Sequence, residues 1–104
     1  MVLLAPRPNT MRDIVRRLAQ DTKNVKWSKH ALERMDERDI TDKYVIDALR
    51  YGSQKGATER GNNAGEWKLK MVFQVKGRRE VGVVVIMVRN ARLFVKTVEW
   101  EDLR

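Results

Sequence analysis

The hydrophobic pattern of the chain changes its period once, near Gly52. Before this residue, apolar side chains recur every three or four positions, which is typical of amphipathic helices. After it they alternate with polar side chains, which is typical of strands. The pattern therefore predicts an α+β fold, with two to three N-terminal helices packed on one face of a C-terminal antiparallel sheet of three to four strands.

The chain begins with a segment that contains two prolines. Residues 1–9 are expected to form an extended leader, because Pro6 and Pro8 restrict the backbone and disfavour helix before them. The spacing over 10–22 predicts a first amphipathic helix. A chain of 104 residues is long enough to bury one core, so we predict a single domain over 1–104.

Two further helices are bounded by capping residues. Ser28 is a favourable N-cap for the second helix, which should end near Asp39. Thr41 is a favourable N-cap for the third, and Gly52 stands where that helix should end. A tight corner at Asp39 and Ile40 is therefore expected.

The pattern in the second half of the chain predicts a sheet. Tight turns are expected at 77–78 and 90–91, with a longer loop at 61–65 that is rich in glycine and asparagine. The first strand candidate, 53–60, is polar and weak. The other three are strongly apolar and cover 67–76, 81–88 and 93–100.

Two-residue turns at 77–78 and 90–91 would fix the register of the strands, and the register assigns each strand residue to a face of the sheet. The predicted core face carries Trp67, Leu69, Met71, Phe73, Val84, Ile86, Val88, Leu93 and Val95, and Thr97 falls on the same side. The other face carries Lys68, Lys70, Val72, Gln74, Val85, Met87, Phe94, Lys96, Val98 and Trp100.

The second of these faces combines aromatic and apolar side chains with ammonium groups. Such a surface suits nucleic acid, because lysines bind phosphates and aromatic rings stack on bases. We therefore predict nucleic-acid binding by Lys68, Lys70, Lys96 and Trp100. The alternative is that a helix or a second copy of the chain covers this face.

The charge of the chain narrows the choice of partner. The formal net charge is +8 and the sequence pI is about 10.2. A chain of this kind attracts polyanions, with nucleic acid the first candidate, an acidic protein the second and a membrane surface the third.

Composition also excludes several kinds of site. The chain has no cysteine and one histidine, so we expect no disulfide, no thiolate chemistry, no metal site and no cofactor. Walker and dinucleotide-binding motifs are missing from the sequence. No apolar run is long enough for a signal peptide or a membrane span, which predicts a cytoplasmic protein without a membrane partner.

The predicted second helix carries the candidate chemistry. His30, Arg34 and Arg38 stand four residues apart, so they share one edge of that helix. A proton-transfer group beside two fixed cations suits phosphate chemistry. The alternative is a solvated face held by ion pairs such as the one between Arg34 and Glu37 or between Lys29 and Glu33.

RNA cleavage by its own 2′-hydroxyl is a reaction that such a set can catalyse without a metal. It needs a group that takes the hydroxyl proton, cations that hold the charge on the phosphorus centre, and a group that protonates the leaving oxygen. His30 can fill either proton role, and Glu33 or Glu37 is a candidate for the other.

Two segments together carry a family resemblance. They read Ser-x-His-Ala-x-x-Arg-Met-x-Glu-Arg-x-Ile over 28–40 and Val-x-Thr-Val-x-Trp over 95–100. The chain resembles, over 26–101, a family of small bacterial domains of unassigned function marked by this helix. That family is similar to the barnase, colicin and RelE-like ribonucleases, which include toxins of type II toxin-antitoxin systems.

The resemblance implies a toxin-like, metal-independent endoribonuclease of a toxin-antitoxin system. It implies catalytic roles for His30, Arg34 and Arg38, with Thr97 as a further candidate, and an acidic antitoxin as partner beside the RNA substrate. The helix over 10–22 lies outside the resemblance. Two other functions stay open: a noncatalytic module that binds RNA or DNA, and an interaction protein that forms a homodimer through the exposed sheet face.

Overall fold

The predicted change from helices to strands is present in the computed structural model, which describes residues 8–101. The observed α+β fold confirms the predicted class. The predicted leader falls on residues 1–7, outside the described residues, and on 8–9, where the first helix already begins. The elements are α1 (Pro8–Ala19), a 3₁₀ turn (Thr22–Asn24), β1 (Val25–Trp27), α2 (Lys29–Arg38), α3 (Asp42–Tyr51), β2 (Ser53–Arg60), β3 (Glu66–Lys76), β4 (Arg79–Val88) and β5 (Arg92–Trp100).

The sheet has five strands in the order β1-β5-β4-β3-β2. β1 pairs in parallel with β5, with Val25 opposite Leu93, and the other pairs are antiparallel. The sheet is therefore mixed and has more strands than the three to four predicted. β1 was not predicted as a strand of this sheet because three residues are too few to show a period of two.

α1 and α3 cover one face of the sheet and hold each other at their C-terminal ends. Arg16 of α1 donates to the Gly52 carbonyl through Nε at 3.0 Å, and Arg50 of α3 donates to the Ala19 carbonyl at 2.9 Å. The last carbonyls of a helix lack partners within it and carry partial negative charge, so each arginine stabilises the end of the other helix. No helix within residues 8–101 is long and apolar enough to cross a membrane.

The predicted bounds of α2 are confirmed. The Ser28 hydroxyl accepts a hydrogen bond from the Ala31 N–H at 2.9 Å, and Asp39 ends the helix in the left-handed conformation, with φ 54° and ψ 41°. Glycine takes this conformation without a Cβ clash, whereas other residues carry a cost of roughly 1–2 kcal/mol. Asp39 thus forms the tight corner that leads into α3 and its N-cap Thr41.

α2 lies along β5. At its start, the Ser28 N–H and hydroxyl donate to the Val95 and Lys96 carbonyls at 3.0 and 2.9 Å. At its end, Arg38 Nη1 donates to the Val98 carbonyl at 2.8 Å, and Trp100 Nε1 donates to the Arg38 carbonyl at 2.7 Å. Ten helical residues and five strand residues each span roughly 15 Å, so the helix covers the edge of β5 that β1 leaves unpaired.

A β-bulge at Val75 changes the register of β4. Gln74 pairs with Glu80 and Lys76 pairs with Arg79, which leaves Val75 as an extra residue in β3. One extra residue exchanges the two faces of the partner strand. The predicted core-face positions Val84, Ile86 and Val88 therefore lie on the opposite face, where Ile86 is nevertheless buried. The predicted exposure of Val85 and Met87 is wrong, because both are fully buried.

A second bulge, at Lys96, changes the register within β5. Val85 pairs with Val95 but Val84 pairs with Thr97, so Lys96 is the extra residue. Beyond it the faces exchange again. Thr97 lies on the same side as Lys96 and not on the predicted core face, and the predicted exposed positions Val98 and Trp100 are buried.

The open face of the sheet is the one opposite α1 and α3, whose buried side chains join the core on the other side. Phe94 is 38% exposed and Lys96 is exposed, so no helix within residues 8–101 covers this face. It carries Lys68, Lys70, Val72, Gln74, Val84, Ile86, Val88, Phe94, Lys96, Thr97 and Glu99.

Candidate nucleic-acid interface

The α2 row consists of His30, Arg34 and Arg38. Their spacing of four residues places them along one side of α2, and the side chain of Arg38 shows which side this is, because it reaches the β5 backbone at Val98. His30 is exposed and the two arginines are half-buried. The structure therefore brings the row next to β5, the strand that carries Thr97 on the open face.

Both arginines of the row already have partners. Arg34 Nη1 lies 2.6 Å from the Glu37 carboxylate, which is the local ion pair expected from the sequence. Arg38 binds the Val98 carbonyl. A guanidinium has five N–H donors, so one bond to a carbonyl leaves Arg38 able to bind a phosphate oxygen as well. The other expected ion pair, Lys29 with Glu33, is not formed among residues 8–101.

Trp100 does not lie on the open face. Its ring packs edge-on against Tyr44 with centroids 6.1 Å apart, and the Arg79 guanidinium lies 3.8 Å from its ring centroid. Only 6% of the residue is exposed. Base stacking on Trp100 is therefore incompatible with this arrangement, and its role is to fasten the end of α2 to β5 through the Arg38 carbonyl.

One end of the open face, which we call the acidic end, joins Lys55 and Lys70 to Glu99 and Glu101. Lys70 Nζ lies 2.5 Å from the Glu99 carboxylate and 2.6 Å from that of Glu101, and Lys55 Nζ lies 2.8 Å from Glu101. The Glu101 side chain is 6% exposed. The two lysines that face this end are therefore neutralised within the protein.

The acidic end perturbs the titration of its members. Burial alone would lower the pKa of Lys70, but hydrogen bonds to Glu101 and Glu99 outweigh it and raise the pKa above 10.5. Burial alone would raise the pKa of Glu101, but hydrogen bonds from Lys55 and Lys70 outweigh it and lower the pKa below 4.5. These shifts show that the cluster stabilises its own charged form.

Gly82 makes room for this cluster. A Cβ at this position would lie 2.5 Å from Glu101 Oε2 and 2.8 Å from Lys70 Cε. The glycine in the middle of β4 thus allows the two charged side chains to lie flat against the sheet. Its presence indicates that the cluster is built into the fold.

The other end of the open face, which we call the cavity end, has different chemistry. It holds a cavity of about 280 Å³ between the sheet and the loop 61–65. Lys68 lies 3.2 Å from Glu59, while Lys96 forms no ion pair with any residue in 8–101. The cavity is lined by Arg60, Gly61, Asn62, Asn63, Glu66, Lys68, Ile86, Val88, Phe94 and Lys96.

The loop 61–65 is held over this cavity by Glu66. The Gly61 N–H donates to the Glu66 carbonyl at 2.8 Å, and the Asn63 side-chain amide donates to the Glu66 carboxylate at 3.1 Å. The sequence indicated this loop but not its position above Phe94. Phe94 was predicted on the correct face but not among the binding residues, and Asn62 was predicted only as part of the loop.

Comparison with known proteins defines the family. A family profile described as a domain of unknown function, DUF4258, matches residues 27–100. The chain belongs to the DUF4258 family. Neither the curated proteins nor the solved structures gave a match.

The DUF4258 segment contains most of the candidate interface. It includes all of α2, the acidic end as far as Glu99 and the whole cavity end, while α1 lies before it. No group of three acidic or histidine side chains among the described residues comes together as a metal-binding cluster. The arrangement offers one imidazole, two guanidinium groups and a lysine-rimmed cavity, which are suited to binding a phosphodiester.

Proposed function

We propose that this DUF4258 protein is a toxin-like, metal-independent endoribonuclease. The observation that supports the proposal is that α2 is bonded to β5 on either side of Thr97, through Ser28 to the Lys96 carbonyl and through Arg38 to the Val98 carbonyl. The net charge of +8 attracts RNA to the molecule. The resemblance of the sequence to RelE-like toxins also supports this proposal.

The reaction is an attack of the RNA 2′-hydroxyl oxygen on the adjacent phosphorus. A bond forms between this oxygen and phosphorus, the bond to the 5′ oxygen breaks, and the products are a 2′,3′-cyclic phosphate and a 5′-hydroxyl. One group takes the proton of the 2′-hydroxyl and another gives a proton to the leaving oxygen. Positioned groups of this kind contribute about 10²–10⁴-fold each to the rate.

Proton transfer and phosphate binding are assigned to different residues. His30 transfers one proton, and Glu37, whose carboxylate is bound to Arg34, is the candidate for the other. Arg34 and Arg38 donate hydrogen bonds to the phosphate oxygens as negative charge develops on them. Thr97 offers a hydroxyl to the same phosphate from β5.

A noncatalytic RNA-binding module is the second candidate. The observation that favours it is that Arg34 and Arg38 already bind Glu37 and the Val98 carbonyl. In that case the α2 row is an ion-paired surface and the RNA is bound but not cleaved. The two functions differ in whether His30 affects a rate or only an affinity.

As a toxin, the protein would have an acidic antitoxin as its partner. A partner that covers the cavity end and the α2 row would block RNA by occupying the same cations. Charge complementarity with a chain of +8 supports this assignment. It predicts competition between such a partner and RNA for the protein.

The proposal is tested by RNA cleavage in the presence of EDTA. A single-stranded RNA labelled at its 5′ end is incubated with the unaltered protein, with His30→Ala and with Lys29→Ala. Lys29 is the matched control, because it is an exposed neighbour of His30 outside the row. We expect cleavage that leaves 2′,3′-cyclic phosphate ends, a loss of about 100-fold or more in His30→Ala and little change in Lys29→Ala.

Cleavage by His30→Ala at the unaltered rate would contradict the catalytic assignment. Tight RNA binding without any cleavage by the unaltered protein would favour the noncatalytic module. Circular dichroism of each variant verifies that the fold is intact.

A further inference from the structure

We infer that the cavity end is a subsite for one nucleobase of single-stranded RNA, with Phe94 as its stacking platform. The inference rests on the proposed function, since it names the part of the RNA that the same surface recognises. It adds a specific contact to what is otherwise a charge-driven interaction.

The sheet side of the cavity includes the apolar side chains of Phe94 and Ile86. Phe94 pairs with Ile86 across β5 and β4, and Ile86 pairs with Lys68 across β4 and β3, so these side chains form one row on the open face. Phe94 is 38% exposed and is the exposed aromatic residue of this face among residues 8–101. Exposed rings on a sheet are the usual platforms for unpaired bases, because every base has a π-face.

The size of the cavity limits what it holds. Its volume of about 280 Å³ lies just below the range of roughly 300–1,000 Å³ found for small-molecule sites. The space therefore suits a single nucleotide. A longer segment would continue along the open face.

The cations are placed for the phosphates that flank such a base. Lys68 and Lys96 both line the cavity: Lys68 ends the row on β3, and Lys96 follows Phe94 by two residues on β5. The Lys96 carbonyl accepts the hydrogen bond from Ser28, two residues before His30 in the chain. A phosphate held by Lys96 would thus lie at the His30 end of the α2 row, which links base binding to the proposed cleavage.

The loop supplies a group that can read the edge of the base. Asn63 is held by Glu66, whereas its neighbour Asn62 lines the cavity and is exposed. A side-chain amide offers both a donor and an acceptor, which is what the edges of unpaired bases require. We assign Asn62 to this contact.

The acidic end does not offer an equivalent subsite. Glu99 and Glu101 place negative charge around Lys70 there, so an RNA phosphate would meet carboxylates as well as the ammonium group. Charge complementarity therefore favours the cavity end for the bound nucleotide.

The test measures binding of an eight-nucleotide RNA in which every 2′-hydroxyl is replaced by fluorine, so that the attacking group is absent. Fluorescence anisotropy gives the Kd for the unaltered protein and for Phe94→Leu, Phe94→Trp and Asn62→Ala. Tyr51→Leu is the matched control, because Tyr51 is an exposed ring on α3 and lies outside the open face. Competition with dextran sulfate reports binding to a polyanion without bases.

The subsite predicts that Phe94→Leu weakens RNA binding by about 5- to 100-fold, the range found for single base-stacking contacts. Binding of dextran sulfate by Phe94→Leu should stay within about twofold of the unaltered protein. Phe94→Trp should keep the RNA affinity, because it keeps a ring at this position. Asn62→Ala should change the preference among RNAs that differ in one base, and Tyr51→Leu should change nothing.

Three results would overturn the subsite. They are equal RNA affinity in Phe94→Leu and the unaltered protein, a parallel loss for RNA and dextran sulfate, and a loss in Phe94→Trp as large as that in Phe94→Leu. The cleavage assay with His30→Ala is independent of these results. The proposed function therefore survives a failure of the subsite, and the absence of any RNA binding would remove both.

Discussion

The two ends of the open face have the same kinds of basic residue but use them differently. At the acidic end, Lys70 lies within 2.6 Å of two carboxylates, and little of the Glu101 side chain is exposed. At the cavity end, Lys96 is exposed and forms no ion pair with any residue in 8–101, beside the exposed ring of Phe94. One end uses its cations to stabilise the fold, and the other leaves a cation available to a ligand.

This difference shows that the number of lysines on a face does not identify a binding surface. The positions of the carboxylates decide whether a lysine is available to bind a ligand. Glu99 and Glu101 are two residues apart, so both reach Lys70 from the end of β5. At the cavity end, Lys68 lies 3.2 Å from Glu59, but no carboxylate among residues 8–101 forms an ion pair with Lys96.

The largest expected effect is a difference in stability between alanine variants of two aromatic residues of β5. Trp100→Ala should lower the free energy of unfolding by about 3–5 kcal/mol, because it removes a buried ring and the hydrogen bond that fastens α2. Phe94→Ala should lower it by about 1 kcal/mol or less, since that ring is exposed. Urea denaturation followed by circular dichroism measures both. Equal losses would contradict the assignment of Trp100 to the fold and Phe94 to the ligand.

The helices were predictable from the sequence for local reasons. Ser28 and Thr41 are caps whose side chains bond to backbone N–H groups three residues ahead, and the apolar spacing of α2 and α3 is regular. The strand register was not predictable. Each of the bulges at Val75 and Lys96 adds one residue, and β4 is apolar on both faces, so its pattern could not reveal the shift.

The second prediction concerns the pH dependence of the acidic end. Glu101→Gln should lower the free energy of unfolding at pH 7 by about 1–3 kcal/mol, because it removes a buried charge that binds two lysines. The folded-state pKa of Glu101 lies below 4.5, so its stabilising contribution is present above that pH and is lost as the pH falls through the folded-state pKa.

The measurement is urea denaturation of both proteins at a series of pH values from neutral to strongly acidic. The curves of unfolding free energy should converge below pH 4.5. Two proteins that differ equally at all pH values would show that Glu101 acts through packing and not through its charge.

The candidate site was predictable only in part. The spacing of His30, Arg34 and Arg38 places them on one side of a helix wherever that helix lies. That the helix runs along β5 is shown by hydrogen bonds in the structure, such as those from Ser28 and Arg38. The lysines of the open face were assigned to the correct side. Their neutralisation at one end depends on contacts between strands, which one sequence does not display.

The salt dependence of RNA binding tests the central claim most directly, namely that the cavity end binds RNA phosphates and the acidic end does not. The slope of log Kd against log salt is measured for the unaltered protein, Lys96→Gln and Lys70→Gln with the noncleavable RNA. Each phosphate contact on a single strand contributes about 0.7 to this slope. We expect Lys96→Gln to reduce the slope by about 0.7 and Lys70→Gln to leave it unchanged. A reduction in Lys70→Gln as large as that in Lys96→Gln would contradict the account.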